Sequence, residues 1–273
     1  MKKYYFILSV CLLCVAKVNA NTQNKPLSFF LDGSLQQYSY VEFAPDEEGG
    51  NKLMEISGLL WGVNTGAILQ NNWGEQILKF AYFSGINTRY DGQTQDTRQP
   101  YSAPSQNYYL YTEYQALPYL IQSDRFVLKA DLGIGYRFLY NQTENTYRRT
   151  QHYLYTLLGL SAETFVSKRF SIITKISHMS LLRGWHTTFL TDIGYDRDLD
   201  FTQGYGQGYK VELGSSFALT PVIGLELSLY YEFWNIAASN TLFARSSNGN
   251  TQSPFIEPRN HTNVYGLKAG LKF

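Results

Sequence analysis

Thr262-Asn263-Val264-Tyr265-Gly266-Leu267-Lys268-Ala269-Gly270-Leu271-Lys272-Phe273 closes the sequence. Tyr265, Leu267, Ala269, Leu271 and Phe273 form one apolar series, while Asn263, Gly266, Lys268 and Lys272 fall mostly on the alternate face. Side chains alternate across a β-strand, so this is a strand with one oily and one polar side. A strand of this kind, ending on an aromatic residue, is what a barrel needs to close its ring in an outer membrane, though a soluble sandwich can also end in one. The rest of the chain decides between them.

The pattern recurs upstream. Phe126, Leu128, Ala130, Leu132, Ile134, Tyr136, Phe138 and Tyr140 share one face, and Val127, Lys129, Asp131, Gly133, Gly135 and Arg137 the other. Ile223 to Phe233 repeats it. Ten strands are expected, at 29–43, 53–69, 76–90, 108–121, 125–142, 151–165, 169–183, 205–218, 222–235 and 262–273. The second is the weakest, because Ile56, Leu60 and Ile68 fall on its nominally polar side. Tight turns at Asn71-Asn72-Trp73-Gly74, Gln122-Ser123-Asp124, Val166-Ser167-Lys168 and Leu219-Thr220-Pro221 alternate with long polar stretches at 44–52, 91–107, 143–150, 184–204 and 236–261. A sandwich mixes loop lengths at both ends. Strict alternation instead predicts an all-β fold, a ten-stranded antiparallel transmembrane barrel with short periplasmic turns and long extracellular loops.

Composition agrees. The chain carries 23 Tyr and 17 Phe, and no apolar run reaches the ~18 residues of a membrane helix. Lys2, Lys3, the apolar Tyr4–Ala16 and Val18-Asn19-Ala20 read as a secretory signal over 1–20, leaving 21–273 as the barrel. Both cysteines, Cys11 and Cys14, lie in that signal, so disulfides and thiolate metal sites are excluded from the mature chain. Removing Lys2, Lys3 and Lys17 moves the formal charge from +1 to −2. No clustered basic face suggests nucleic acid, and no metal or organic cofactor is expected. Asp32, Glu113, Lys129, Asp131, Arg137, Glu212, Glu226, Glu232 and Lys268 are among the charges that alternation points inward. A ten-stranded lumen is little wider than one that side chains just fill, so these charges are expected to pair and plug it.

Asp46-Glu47-Glu48-Gly49-Gly50-Asn51-Lys52, Trp61, Asn64, Ala67-Ile68, Asn72-Trp73, Ser105-Gln106-Asn107-Tyr108, Glu113, Leu132-Gly133-Ile134-Gly135-Tyr136, Thr220-Pro221 and Ala269-Gly270-Leu271-Lys272-Phe273 together resemble the omptins, outer-membrane endopeptidases on a ten-stranded barrel. The resemblance spans the mature chain. It implies a bacterial outer-membrane location, contact with lipopolysaccharide (required for activity in that reading) and a peptide or protein substrate held at the loops. It also implies a water held between a pair of aspartates and an Asp-x-His pair. A histidine beside a carboxylate is suited to general-base work at neutral pH. The first pair falls on Thr94-Gln95-Asp96 and the second on Gly184-Trp185-His186, so Asp96 and His186 are the catalytic candidates, while Thr94 and Gly184 depart from the pattern. Glu42 matches one substrate-binding acid that selects basic residues; the other falls near the apolar Leu182. Asp91, Asp192, Asp196, Asp198 and Asp200 lie near enough in sequence to substitute. Losing members of such a set commonly costs several powers of ten in rate. The expectation is an omptin-like surface endopeptidase with reduced or lost activity, and the alternative a non-enzymatic barrel for adhesion or ligand binding.

Overall fold

The structure, a computed structural model, describes residues 26–45, 49–93, 99–247, 249 and 252–273. The signal segment, the acids at 46–48 and Asp96 lie outside these residues. Ten strands close a ring: β1 (Leu27–Phe43), β2 (Lys52–Asn71), β3 (Gly74–Gly85), β5 (Pro100–Gln122), β6 (Phe126–Thr143), β7 (Arg148–Phe165), β8 (Phe170–Thr188), β10 (Gly206–Ala218), β11 (Gly224–Ile236) and β14 (Arg259–Lys272). Neighbours run antiparallel throughout. The C-terminal strand closes the barrel by pairing β1 from Phe30↔Lys272 to Phe43↔Arg259, and the Phe29 and Phe273 backbones exchange both hydrogen bonds. Closure leaves no unpaired sheet edge in the lipid, the condition for a sheet to span a membrane.

The outer face supplies the second condition. Leu35, Leu132, Ile134, Leu158, Leu160, Ile176, Leu213, Leu229 and Leu267 are exposed in a belt around the ring. Aromatic contacts border it on the extracellular side, through Trp61–Tyr82, Tyr82–Tyr108, Tyr108–Tyr140, Phe138–His152, His178–Tyr209, Tyr231–Tyr265 and Phe233–His261. Phe29 and Phe273 meet on the periplasmic side. Paired aromatic girdles around an apolar band characterise outer-membrane barrels.

The lumen is filled. Inward charges pair as Arg137–Glu232 at 3.0 Å, Lys129–Glu75 at 2.8 Å and Lys268–Glu212 at 2.8 Å. Above them lies a layer that a simple polar-interior reading does not anticipate. Tyr38, Ile56, Leu60, Phe83, Tyr109, Tyr153, Tyr155, Met179 and Trp234 form one buried cluster inside the ring. Ile56 and Leu60, the residues that spoiled the alternation of β2, are therefore correctly inward and belong to an apolar plug. Ile68 is inward as well, against Phe30, Ile77 and Leu117. A void beside the plug, next to Tyr109, Asn141 and Gln151, has room for about one water.

The expected long loops contain further sheet. The segment expected at 76–90 breaks after Gly85 and resumes as β4 (Arg89–Gln93), which pairs with both β2 and the upper part of β5. Asn87 accepts the Leu59 N–H through Oδ1, and the Thr88 hydroxyl donates to the Ser105 carbonyl; these two bonds hold the corner. The stretch at 143–150 is a tight turn around Asn145, the one described non-glycine residue at positive φ. The stretch at 184–204 continues β8 to Thr188, then makes a 3₁₀ turn at Leu190–Ile193 and strand β9 (Leu199–Gln203) on β8. The stretch at 236–261 holds the hairpin β12 (Leu242–Arg245) and β13 (Gln252–Phe255).

Candidate functional site

His186 is not on a loop. It lies near the extracellular end of β8, and a β-bulge decides which way it points. Leu154 pairs with Arg183 but Tyr155 pairs with Leu181, so Leu182 is the extra residue. A bulge re-aims the strand beyond it. Below it the odd-numbered residues face inward, to Leu181; above it Gly184, His186 and Thr188 do. Leu182, where the resemblance places a specificity acid, is half exposed on the outer face. Of the four histidines only His186 enters the lumen. His152, His178 and His261 sit among the outer aromatic rings.

Inside, His186 is completely buried and its Nδ1 lies 3.0 Å from Glu257 Oε1. Glu257 comes from the short segment between β13 and β14. No local pattern marks it in the sequence, beyond its being the only acid after Glu232. Arg149 on β7 stands between Glu42, which it contacts closely, and Glu257 at 3.9 Å. The Tyr40 hydroxyl on β1 lies 3.0 Å from both carboxylates, and Gln151 Nε2 donates to it at 3.0 Å. Glu42, expected to meet substrate, is thus 6 % exposed and engaged with Arg149 and Tyr40.

A cap encloses this cluster. Leu190, Leu199, Phe201 and Ala244 form a second small core with Tyr147, Tyr195, Leu242 and Phe255. Arg197 Nε donates to the Phe243 carbonyl at 3.1 Å, and the Arg245 N–H to Asp196 at 2.8 Å. The four candidate aspartates of this region are occupied in holding the cap. Asp192 takes a two-pronged contact from Arg148, whose hydrogen bonds hold its carboxyl below the usual range. Asp198 accepts from Thr191 and Asp200 from Thr187. Asp91 takes the Ser102 hydroxyl on the exposed β4–β5 ribbon. None of these five is the partner of His186, which is Glu257.

Burial pushes the Glu257 carboxyl up, but the charge and hydrogen bond of His186, with Arg149, outweigh it and hold it below the usual carboxylate range. A depressed native value means that Glu257 contributes stability above its unfolded pKa, ~4.3, and that this contribution is lost as pH falls through the lower native value. Hydrogen exchange of the cap backbone at 237–247 should therefore accelerate selectively below about pH 4, ahead of the barrel strands. Equal protection of the cap at neutral and strongly acidic pH would show that Glu257 is not its fastening.

No family model matches the chain, and no curated protein matches it. Among solved structures it is similar to the outer membrane protease OmpT of Escherichia coli, with a TM-score of 0.59 at 11% identity over 93% of this chain and 98% of that one. It also aligns with the transport unit of the autotransporter AIDA-I from Escherichia coli, at 0.44 and 9% over 93% of each chain. The translocator domain of the autotransporter NalP from Neisseria meningitidis gives 0.39 and 11%, over 96% of this chain and 94% of that one. At such identities the likeness to the protease speaks for architecture alone. The chain has the fold of a bacterial outer-membrane β-barrel.

Proposed function

We propose that this chain is a closed outer-membrane barrel that acts at the cell surface as a binding protein, presenting its extracellular ribbons to a peptide or protein ligand above a lipopolysaccharide leaflet. The observation that carries this reading is the burial of His186. A general base must come within about 3 Å of the proton it removes, directly or through one water. Here the cap, Phe201 and the Glu257–Arg149–Glu42 cluster enclose the imidazole on the described sides, and 0 % of it is exposed. The β4–β5 ribbon carries Arg89 and Asp91 exposed at its surface.

Omptin-like peptide hydrolysis is the second reading. It is favoured by the Glu257–His186 contact, which orients the ring as a carboxylate orients a catalytic histidine; Asp96 would complete it. The test is a peptide-library digestion with refolded protein and lipopolysaccharide, comparing the parent with His186→Ala and Glu257→Gln. Background cleavage by all three is expected. Cleavage by the parent that both substitutions abolish would establish hydrolysis and overturn the binding-protein reading.

A further inference from the structure

We propose that the extracellular cap holds a small donor-bearing cation, ammonium or a primary alkylamine, among His186, Gln203 and Asn260. Three buried side-chain atoms at this end of the lumen lack a hydrogen-bond partner among the described residues: His186 Nε2, Gln203 Oε1 and Asn260 Oδ1. Buried polar atoms are rarely left so, because desolvation is not repaid.

With the imidazole neutral, all three are acceptors. Gln203 Nε2 donates to the Ala237 carbonyl at 3.2 Å, which fixes the amide and leaves Oε1 over. Asn260 Nδ2 points to the Pro258 carbonyl at 3.5 Å and leaves Oδ1. His186 presents Nδ1 to Glu257, and in the neutral ring, with its one proton on that nitrogen, Nε2 offers its lone pair. A group that satisfies them all must bring several donors.

The three residues lie on adjoining elements. Gln203 pairs with Gly184, two residues from His186 on the same face of β8. Ile236, whose neighbour Ala237 receives Gln203, pairs with Asn260. Asn260 follows Glu257 by three positions, and Glu257 touches His186. Charge points the same way. The enclosed cluster sets Glu42 and Glu257 against Arg149, so with a neutral imidazole it carries one negative charge in excess. Water brings two donors and no charge; an ammonium group brings more donors and the missing positive charge.

The proposal does not rest on the surface-binding reading. Its test is titration of the refolded full barrel with methylammonium chloride, against potassium and tetramethylammonium chlorides at matched ionic strength, followed by calorimetry and by His186 ring resonances. Methylammonium should bind and shift those resonances, while potassium and tetramethylammonium, which have no N–H, should not. Gln203→Leu and Asn260→Leu should each weaken binding about tenfold, the value of one hydrogen bond to a charged group. Gln203→Glu, which keeps the size and adds charge, should strengthen it. Heat-modifiable migration of each variant confirms folding. Equal responses to all three salts, no response, or unchanged affinity in both leucine variants would overturn the proposal in favour of water alone.

Discussion

Arg149→Met lowers the stability of the folded barrel by about 3–5 kcal/mol, the usual cost of removing one partner from a buried ion pair. The reason is asymmetric. The Arg149 side chain lies 8 % exposed between Glu42 and Glu257, and methionine fills most of its volume but leaves two carboxylates buried with His186, Tyr40 and Gln151 to share. Glu42→Gln in the Arg149→Met background should recover part of the loss, because it removes one stranded charge. Urea unfolding of refolded protein in lipid vesicles, run as a double-mutant cycle, measures this coupling. Additive losses would mean that the two side chains do not act as a pair.

Trp234→Ala should cost a similar 3–5 kcal/mol, through a cavity in place of a charge. Trp234 is 2 % exposed at the centre of the lumenal plug. Its ring meets Tyr155 edge-on at 5.1 Å, and its Nε1 donates to Glu232, which also holds Arg137. The substitution removes packing and one anchor of that ion pair together. Trp234→Phe keeps most of the packing and should lose substantially less in the same unfolding experiment. Equal losses for alanine and phenylalanine would assign the effect to the Glu232 hydrogen bond.

The strands were legible because lipid demands an apolar face and the pleat imposes a period of two. Residues 126–140, 223–233 and 262–273 therefore revealed both faces, and with them the inward placement of Lys129, Arg137, Glu232 and Lys268. Beyond the membrane that demand ends. The ribbon β4–β5, strand β9 and hairpin β12–β13 have water or other loops on their faces, their alternation is weak, and they read as loops. The bulge at Leu182 left no glycine or proline to mark it, so the side of β8 that His186 occupies followed from the pairing register alone. Ile56 and Leu60 were visible as exceptions, and their meaning, an apolar plug, required the tyrosines of β1, β5 and β7 to be brought around them. Glu257 required the whole closure: it meets His186 because β14 and β8 stand on a common lumen.

The central claim is that the barrel is sealed, by the tyrosine and tryptophan layer within and by the cap above. Planar-bilayer recording of the refolded parent protein tests it most directly. The sealed lumen predicts no stepwise ionic conductance at voltages that leave the barrel folded, for the parent as purified. Steady single-channel steps from the parent protein would contradict the account.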